Sequence, residues 1–218
     1  MRASKCGDVE MGKFRYEMNV DRSGRMDNEA MLLLKNMYLA PYMQLATALI
    51  GKARHAGGNM FRHQLDTMSI LIDYGYIDAI LLKASCIHDV LEDVPGFDKN
   101  LIINADEDGL EVYNLVCEVT RKENQPKEEY LRDIIQNGSP RAKVLKCADR
   151  ISNMISLGFV SDPKFIERYC DETEYFVLPI AIEVDYNMYQ ELIGLIITRR
   201  HYLEECGYIE AQKKGEQK

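Results

Sequence analysis

Apolar residues follow a helical period along most of the chain. From position 28 onward they recur at steps of three and four residues, which places them on one face of a helix. Prolines and glycines divide this pattern into separate segments. The pattern predicts a first helical segment that begins at 28, is kinked or broken at Pro41 and ends at Gly57 and Gly58, followed by helices over residues 62–74, 78–92, 106–121, 127–136, 140–157, 163–176 and 180–206.

The helix over residues 140–157 has the clearest start. Ser139 can accept a hydrogen bond from a backbone N–H of the first turn, and Pro140 suits the first helical position. Gly158 then fits the C-terminal cap. No part of the sequence shows short alternating strands joined by hairpin turns, so we predict an all-α fold.

Length and composition predict one domain between two polar ends. The chain has 218 residues, of which 46% are hydrophobic, and this is enough to bury a core. The first 27 residues are polar and show no sustained period. We expect a flexible N-terminal arm over residues 1–27, a helical domain over 28–209 and a polar tail over 210–218.

The charge balance narrows the classes of partner. With 35 acidic and 27 basic residues the formal net charge is −8, which argues against nucleic acid or an anionic membrane surface as a partner. The first residues lack the apolar segment of a signal peptide, and no apolar stretch is long enough to span a membrane. No two of the six cysteines have the CxxC spacing of a zinc or redox site. We therefore expect a cytoplasmic protein.

Ionisable residues interrupt two of the predicted helices, where a buried charge is costly unless it is paired or bound. In the helix over residues 78–92, His88 and Glu92 are four residues apart, and so are Asp89 and Asp93. Residues four apart are neighbours on a helix surface. The spacing therefore predicts that one helix end presents an imidazole and three carboxylates together.

A polar stripe lies on the helix over residues 140–157. Lys146, Asp149, Asn153 and Ser156 follow one another at steps of three, four and three, on a helix that is otherwise mostly apolar. These steps place the four side chains on one helix face. The stripe is the second candidate for a chemical site.

Taken one at a time, these residues are also explained by an Asp149–Arg150 pair at the surface and by a hydrogen-bonded core histidine at position 88. Taken together they supply ligands in the order His63, His88 with Asp89, and Asp149. Two neutral imidazoles and two carboxylates suit Mn²⁺, Fe²⁺ or Zn²⁺, and leave room for water and a substrate oxygen. Such an ion can polarise a phosphoryl oxygen and generate a nucleophile from water near neutral pH.

The sequence around these ligands resembles the HD superfamily of metal-dependent phosphohydrolases. Residues 88–93 (HDVLED) resemble the HDxxED element of the RelA/SpoT-type alarmone hydrolases, and residues 146–154 (KCADRISNM) resemble their KxADRxxNM element. The resemblance covers residues 46–158. It implies an HD-domain helical bundle around one metal ion, similar to the small alarmone hydrolases.

The resemblance also implies a reaction and roles for individual residues. The family removes pyrophosphate from the 3′ position of guanosine tetra- or pentaphosphate, by attack of metal-activated water on phosphorus. The implied substrate is thus a small nucleotide, and the implied ion is Mn²⁺, with Fe²⁺ or Zn²⁺ as alternatives. Glu92 and Asp93 would activate the attacking water or assist the leaving group, and Asn153 would hold the nucleotide. The implied metal ligands are His63, His88, Asp89 and Asp149.

The chain departs from the family pattern on both sides of these elements. The family usually has a longer loop before the first ligand, with an Arg-Lys pair and a proline on each side of the ligand, whereas residues 58–64 (GNMFRHQ) have neither proline. Ile155 and Ser156 stand where the family often has Arg-Thr, so a cation is lost while a hydroxyl remains for the substrate. The candidate phosphate contacts are Lys52, Arg54, Arg62, Arg121, Lys122, Lys146 and Arg150.

Two other functions remain open at this point. The altered loop also fits an HD phosphohydrolase that acts on nucleoside monophosphates or another phosphorylated metabolite, and the chain could instead be a non-catalytic nucleotide-binding sensor. The C-terminal helices carry aromatic residues for which core packing is favoured over a homodimer face: Tyr169, Tyr175, Phe176, Tyr186, Tyr189 and Tyr202.

Overall fold

The computed structural model describes residues 28–208, so the predicted arm over 1–27 and the tail over 210–218 lie outside the described residues. Within residues 28–208 the fold is all-α, as predicted, and the structure there has no strand apart from an isolated bridge between Ala53 and Asn59. The helices are α1 (Asn28–Asn36), α2 (Ala40–Ala46), α3 (Met60–Asp73), α4 (Ala79–Ser85), α5 (Val90–Asp93), α6 (Asn100–Ile103), α7 (Gly109–Val119), α8 (Lys127–Asn137), α9 (Pro140–Ser156), α10 (Pro163–Glu172), α11 (Leu178–Val184) and α12 (Tyr186–Glu205).

Helix α9 lies at the centre of the bundle and packs against α3, α7, α11 and α12. Its start confirms the sequence prediction, because the Ser139 hydroxyl accepts a hydrogen bond from the Ala142 N–H and Pro140 occupies the first position. Apolar residues of all these helices join one core. The polar stripe on α9 is therefore held inside the bundle.

A tight loop precedes α3. Gly57 and Gly58 both have positive φ, at 85° and 71°, a conformation that favours glycine. The loop closes on itself, because the Arg54 N–H donates to the Gly58 carbonyl at 3.2 Å and the Met60 N–H donates to the Lys52 carbonyl at 2.9 Å. This compact turn stands where the resembled family has a longer loop.

The continuous helix predicted over residues 78–92 is wrong, because a turn separates α4 from α5. In a continued helix the Asp89 N–H would bond to the Ser85 carbonyl. Instead His88 Nδ1 donates to that carbonyl at 2.9 Å, and the Asp89 N–H donates to Gln64 Oε1 at 3.3 Å. Two side chains thus replace one backbone hydrogen bond, and the ionisable residues do not share one helix face.

The C-terminal helices break at a different residue from the one predicted. Helix α10 continues through a π-helical turn (Thr173–Val177) into α11, so there is no interruption near residue 177. The break lies at Asp185, whose side chain accepts hydrogen bonds from the N–H groups of Asn187 and Met188 at the start of α12. Asp185 is therefore the N-cap that separates α11 from α12.

Gly158 is not the left-handed cap that the sequence predicts. It lies in a 3-10 turn (Leu157–Phe159) and its φ is not positive. The guanidinium of Arg199 packs against it, and donates to the carbonyls of Met154 and Ile155 at 3.2 and 3.0 Å. A side chain from α12 therefore satisfies the carbonyl groups at the end of α9.

The aromatic residues of the C-terminal helices only partly follow the core prediction. Phe176 is buried, but Tyr175, Tyr186 and Tyr202 are 68%, 62% and 43% exposed. Core packing is therefore wrong for these three tyrosines. No helix within residues 28–208 is both long and apolar enough to cross a membrane.

Candidate functional site

The four predicted metal ligands converge where α3, the turn before α5 and α9 meet. His63 Nε2 lies 3.0 Å from Asp149 Oδ1 and 3.6 Å from Asp89 Oδ2. His88 Nε2 lies 3.2 Å from Asp89 Oδ2 and 3.9 Å from Asp149 Oδ1. The ligand atoms of the two histidines and Asp149 all lie within 4.8 Å of one another. Residues distant in sequence thus form one compact cluster.

Each histidine is oriented through its other ring nitrogen. His88 Nδ1 donates to the Ser85 carbonyl at 2.9 Å, and His63 Nδ1 lies 2.9 Å from the Ser152 hydroxyl. Such contacts fix the ring and direct Nε2 toward a metal in many metalloproteins. The sequence analysis missed Ser152, although its place three residues after Asp149 puts it on the same face of α9.

The cluster fits a divalent metal ion. His88 Nε2 is buried and, although carboxylate oxygens lie near it, makes no well-aligned hydrogen bond within residues 28–208. A buried polar atom without a hydrogen bond is costly unless something binds it. Its neighbours are carboxylate oxygens and a second imidazole, a donor set that suits divalent first-row ions.

The electrostatics of the metal-free cluster are set by its carboxylates. Burial lowers the pKa of His88, but the charges of Asp89 and Asp149 outweigh burial and raise this pKa to about 9. Burial acts to raise the pKa of Asp149, but the Lys146 ammonium and the two histidines hold it well below its usual value. Without a metal ion, His88 is therefore protonated at neutral pH beside an ionised Asp149.

Metal affinity is expected to rise with pH, because an ion must displace the proton on His88. Protonated His88 stabilises the metal-free fold below its ordinary pKa of 6.5, and this contribution is lost as the pH rises through about 9. Below that pKa the Mn²⁺ affinity should increase about tenfold per pH unit. Calorimetric titration with Mn²⁺ between about pH 6.5 and 8.5 measures this slope. An affinity that does not change with pH would contradict the raised pKa.

A cavity of about 250 Å³ lies beside the ligands and contains both predicted catalytic acids. The Glu92 carboxylate accepts hydrogen bonds from the Arg121 N–H and Nη2, each at 3.3 Å. Asp93 Oδ1 lies 3.0 Å from Lys52 Nζ. Apart from the ligands and these acids, the polar residues lining the cavity are Arg121, Lys127, Tyr130, Lys146, Arg150, Asn153 and Tyr169.

Like Arg121, two other basic residues predicted to contact substrate line this cavity but already bind carboxylates. Lys146 Nζ donates to Asp149 Oδ2 at 2.7 Å. Arg150 is 1% exposed, and its guanidinium donates to Glu172 at 2.5 Å and to the Thr173 hydroxyl at 3.2 Å. Both cations therefore hold parts of the fold in place at the cavity wall.

Other predicted basic contacts lie away from the cavity. The side chain of Arg62 is exposed, and Arg62 does not line the cavity. Lys122 is exposed as well and lies on the surface at the start of α8. Lys127, which the sequence analysis missed, does line the cavity, and its Nζ lies 2.9 Å from Glu172. Nothing in the local sequence around Lys127 indicates that this exposed lysine lines the cavity.

A second cavity, of about 220 Å³, adjoins the first and shares Met60, Asn153 and Tyr169 with it. Aromatic rings form part of its wall. The ring of His55 lies 4.5 Å from that of Phe165, which stacks on Tyr169 at 5.5 Å between centroids. Aromatic and polar side chains therefore both line the second cavity.

Three predicted substrate contacts meet at the junction of the two cavities. Arg54 Nη2 donates to Asn153 Oδ1 at 2.8 Å, and Arg54 Nη1 donates to the Ser156 hydroxyl at 3.2 Å. Asn153 Nδ2 in turn donates to Asp149 Oδ1 at 2.5 Å. The polar stripe of α9 thus connects the ligand cluster to the second cavity.

Comparison with solved structures identifies a protein that has a similar fold. No protein-family model and no curated protein matches the chain. A solved structure that does match is described as a metazoan ortholog of SpoT that hydrolyzes ppGpp and plays a role in starvation responses. The two are 22% identical, the match covers 80% of this chain and 97% of that chain, and the TM-score is 0.59. This chain has the fold of that hydrolase. The predicted all-α helical bundle is therefore confirmed.

Proposed function

We propose that this protein is a cytoplasmic, metal-dependent pyrophosphohydrolase that removes the 3′-pyrophosphate from alarmone nucleotides such as ppGpp. One observation carries the proposal: the cavity beside the cluster of two histidines and two aspartates also contains two further carboxylates and four cations. Metal ligands, acid–base groups and phosphate-binding groups are thus within one small space. The shared fold with a protein that hydrolyzes ppGpp supports the same reaction.

The charges around the cavity favour a polyphosphate. Four carboxylates, those of Asp89, Glu92, Asp93 and Asp149, line it together with four cations. A bound divalent ion would therefore make the lining net positive. The cations are Arg121, Lys127, Lys146 and Arg150. A positive cavity in a chain of net charge −8 selects a small anion over an extended anionic surface.

The second cavity supplies a place for the nucleoside. Stacking of a base on an aromatic side chain is worth about 1–3 kcal/mol. The rings of His55 and Phe165 offer such a surface, and Arg54 and Asn153 offer polar contacts beside it. Because both cavities share Asn153, a nucleoside in one and its phosphates in the other would be contiguous.

The chemistry follows from the positions of the acidic residues. We propose Mn²⁺ as the ion, held by His63, His88, Asp89 and Asp149; the same ligands accept Fe²⁺ or Zn²⁺. When bound, it would lower the pKa of water and neutralise charge on phosphoryl oxygens. Glu92, on the wall of the same cavity, accepts a proton from the attacking water.

The remaining steps complete the proton balance of the proposed hydrolysis. Water forms a new bond to phosphorus while the bond from phosphorus to the 3′ oxygen breaks, and pyrophosphate leaves. Asp93 lies beside Glu92 in the cavity wall and relays the proton that Glu92 has accepted from water to the 3′ oxygen, so that no further acid is needed. Arg121 and Lys52 hold the two carboxylates in place.

Product analysis tests the proposed function. The purified chain, incubated with Mn²⁺ and guanosine 3′,5′-bis(diphosphate), should release GDP and pyrophosphate, and the Asp89→Ala chain should release neither. A parallel incubation with nucleoside monophosphates tests the alternative substrate class. Inorganic phosphate from monophosphates with no pyrophosphate from the alarmone would contradict the proposal, and so would tight alarmone binding with no product.

A further inference from the structure

Gln64 connects two of the candidate metal ligands. It directly follows His63 on α3, and its side chain is fully buried. Gln64 Nε2 donates to Asp89 Oδ2 at 2.7 Å, and Gln64 Oε1 accepts a hydrogen bond from the Asp89 N–H at 3.3 Å. One amide thus contacts both the backbone and the carboxylate of a single residue.

These two contacts matter because Asp89 lies in the turn between α4 and α5. Its N–H does not have the helical acceptor that it would have in a continuous helix, since the Ser85 carbonyl accepts from His88 Nδ1. Gln64 supplies the missing acceptor. Without it, a backbone N–H in a partly buried turn would be left without a partner, which is costly.

The second contact acts on the carboxylate. Asp89 Oδ2, which accepts from Gln64, is also the oxygen that lies 3.2 Å from His88 Nε2 and 3.6 Å from His63 Nε2. Hydrogen bonds to a ligand carboxylate fix its orientation, and their loss typically costs 10- to 100-fold in metal affinity. Because Gln64 is rigidly placed on α3, it also sets the position of Asp89 relative to His63 on the same helix.

We propose that Gln64 is a positioning residue that holds Asp89 in place as a metal ligand. This inference deepens the proposed function and rests on it only through the metal site. The sequence analysis gave Gln64 no role, and the resembled family usually has proline at this position. A glutamine here allows a side-chain contact that proline could not make, because proline has no polar side chain.

Mn²⁺ binding by the 218-residue chain, without nucleotide, tests this role. Gln64→Met keeps a side chain of similar length but removes both hydrogen bonds, and we expect about 10- to 100-fold weaker affinity by calorimetry. Thr67→Val is the matched control: Thr67 is buried one turn later on α3, and its hydroxyl donates only to the His63 carbonyl, at 3.0 Å. We expect the control to stay within about threefold of the unaltered chain, which is below 1 kcal/mol.

Two results would overturn the proposal. One is an unchanged affinity in Gln64→Met, and the other is an equal loss in Gln64→Met and Thr67→Val, which would indicate general loosening of α3. If Gln64→Met does not fold, Gln64→Asn replaces it, because asparagine keeps the amide but is one methylene shorter and cannot make both contacts. Full Mn²⁺ affinity in Gln64→Asn would also overturn the proposal.

Turnover separates this inference from the proposed function. If Gln64 acts only by holding a ligand, excess Mn²⁺ should restore the alarmone hydrolysis rate of Gln64→Met to near that of the unaltered chain. A rate that stays low at saturating Mn²⁺ would contradict a role confined to positioning. If no variant or parent hydrolyses the alarmone, the proposed function fails, while the Mn²⁺ titrations still decide the role of Gln64.

Discussion

Replacing His88 by alanine is expected to abolish metal-dependent phosphohydrolysis while leaving the fold intact. Above about pH 9, where His88 of the metal-free chain is neutral, the ring contributes to the fold mainly through its Nδ1 bond to the Ser85 carbonyl, because Nε2 makes no hydrogen bond within the described residues. Loss of one such bond costs about 1 kcal/mol. Loss of the ion removes several kcal/mol of transition-state stabilisation, which corresponds to a rate decrease of about 10³-fold or more.

The measurement combines Mn²⁺ titration, alarmone turnover and thermal unfolding of the His88→Ala chain. We expect Mn²⁺ affinity to fall by about 100-fold, equivalent to roughly 2.8 kcal/mol. His201→Ala is the matched control, because His201 is an exposed histidine on α12 whose neighbours are Glu204 and Glu205. Full turnover by His88→Ala without added metal would rule out the proposed metal centre.

The sequence was sufficient to predict which ionisable residues converge but not the backbone that presents them. Order and spacing singled out His63, His88, Asp89 and Asp149, and the structure brings all four together. The interruption after α4 could not be predicted, since no proline or glycine marks residues 86–89. The hydrogen bonds from Gln64 and His88 that accompany this turn depend on tertiary contacts with α3 and on burial.

The cations were harder to assign than the ligands, for a related reason. Arg150 has the motif position of a substrate contact, but in the structure it pairs with Glu172 on α10. Glu172 is too far from Arg150 in the sequence for a local pattern to predict this pair. Arg54, by contrast, lies outside both sequence motifs but contacts a candidate site residue. The turn at Gly57 and Gly58 places its guanidinium within hydrogen-bonding distance of Asn153. Propensity locates the helices, whereas long-range pairing decides which charges face the cavity.

Replacing Asp149 by alanine is expected to lower the stability of the metal-free protein by about 3–5 kcal/mol, in addition to removing a proposed metal ligand. Asp149 is 6% exposed and accepts hydrogen bonds from Lys146 Nζ and Asn153 Nδ2. Its removal leaves the Lys146 ammonium, whose side chain is 13% exposed, without its anionic partner. Breaking one side of a buried ion pair is costly because the remaining charge is still desolvated.

Urea unfolding in the presence of a chelator measures this loss, and a second substitution identifies its cause. Lys146→Met in the Asp149→Ala chain removes the isolated charge, so the double variant should recover about half of the lost stability or more. The pKa of Asp149 is held well below its usual value of 3.8. The folding stability that ionised Asp149 contributes is therefore present above pH 3.8 and is lost as the pH falls through the lowered pKa. The difference in unfolding free energy between the parent and Asp149→Ala chains should therefore persist from neutral pH down to about pH 4.

If the double variant recovers nothing, the loss arises from the vacated space and not from the isolated ammonium. A metal-free Asp149→Ala chain as stable as its parent would show that the Asp149–Lys146 pair does not stabilise the bundle.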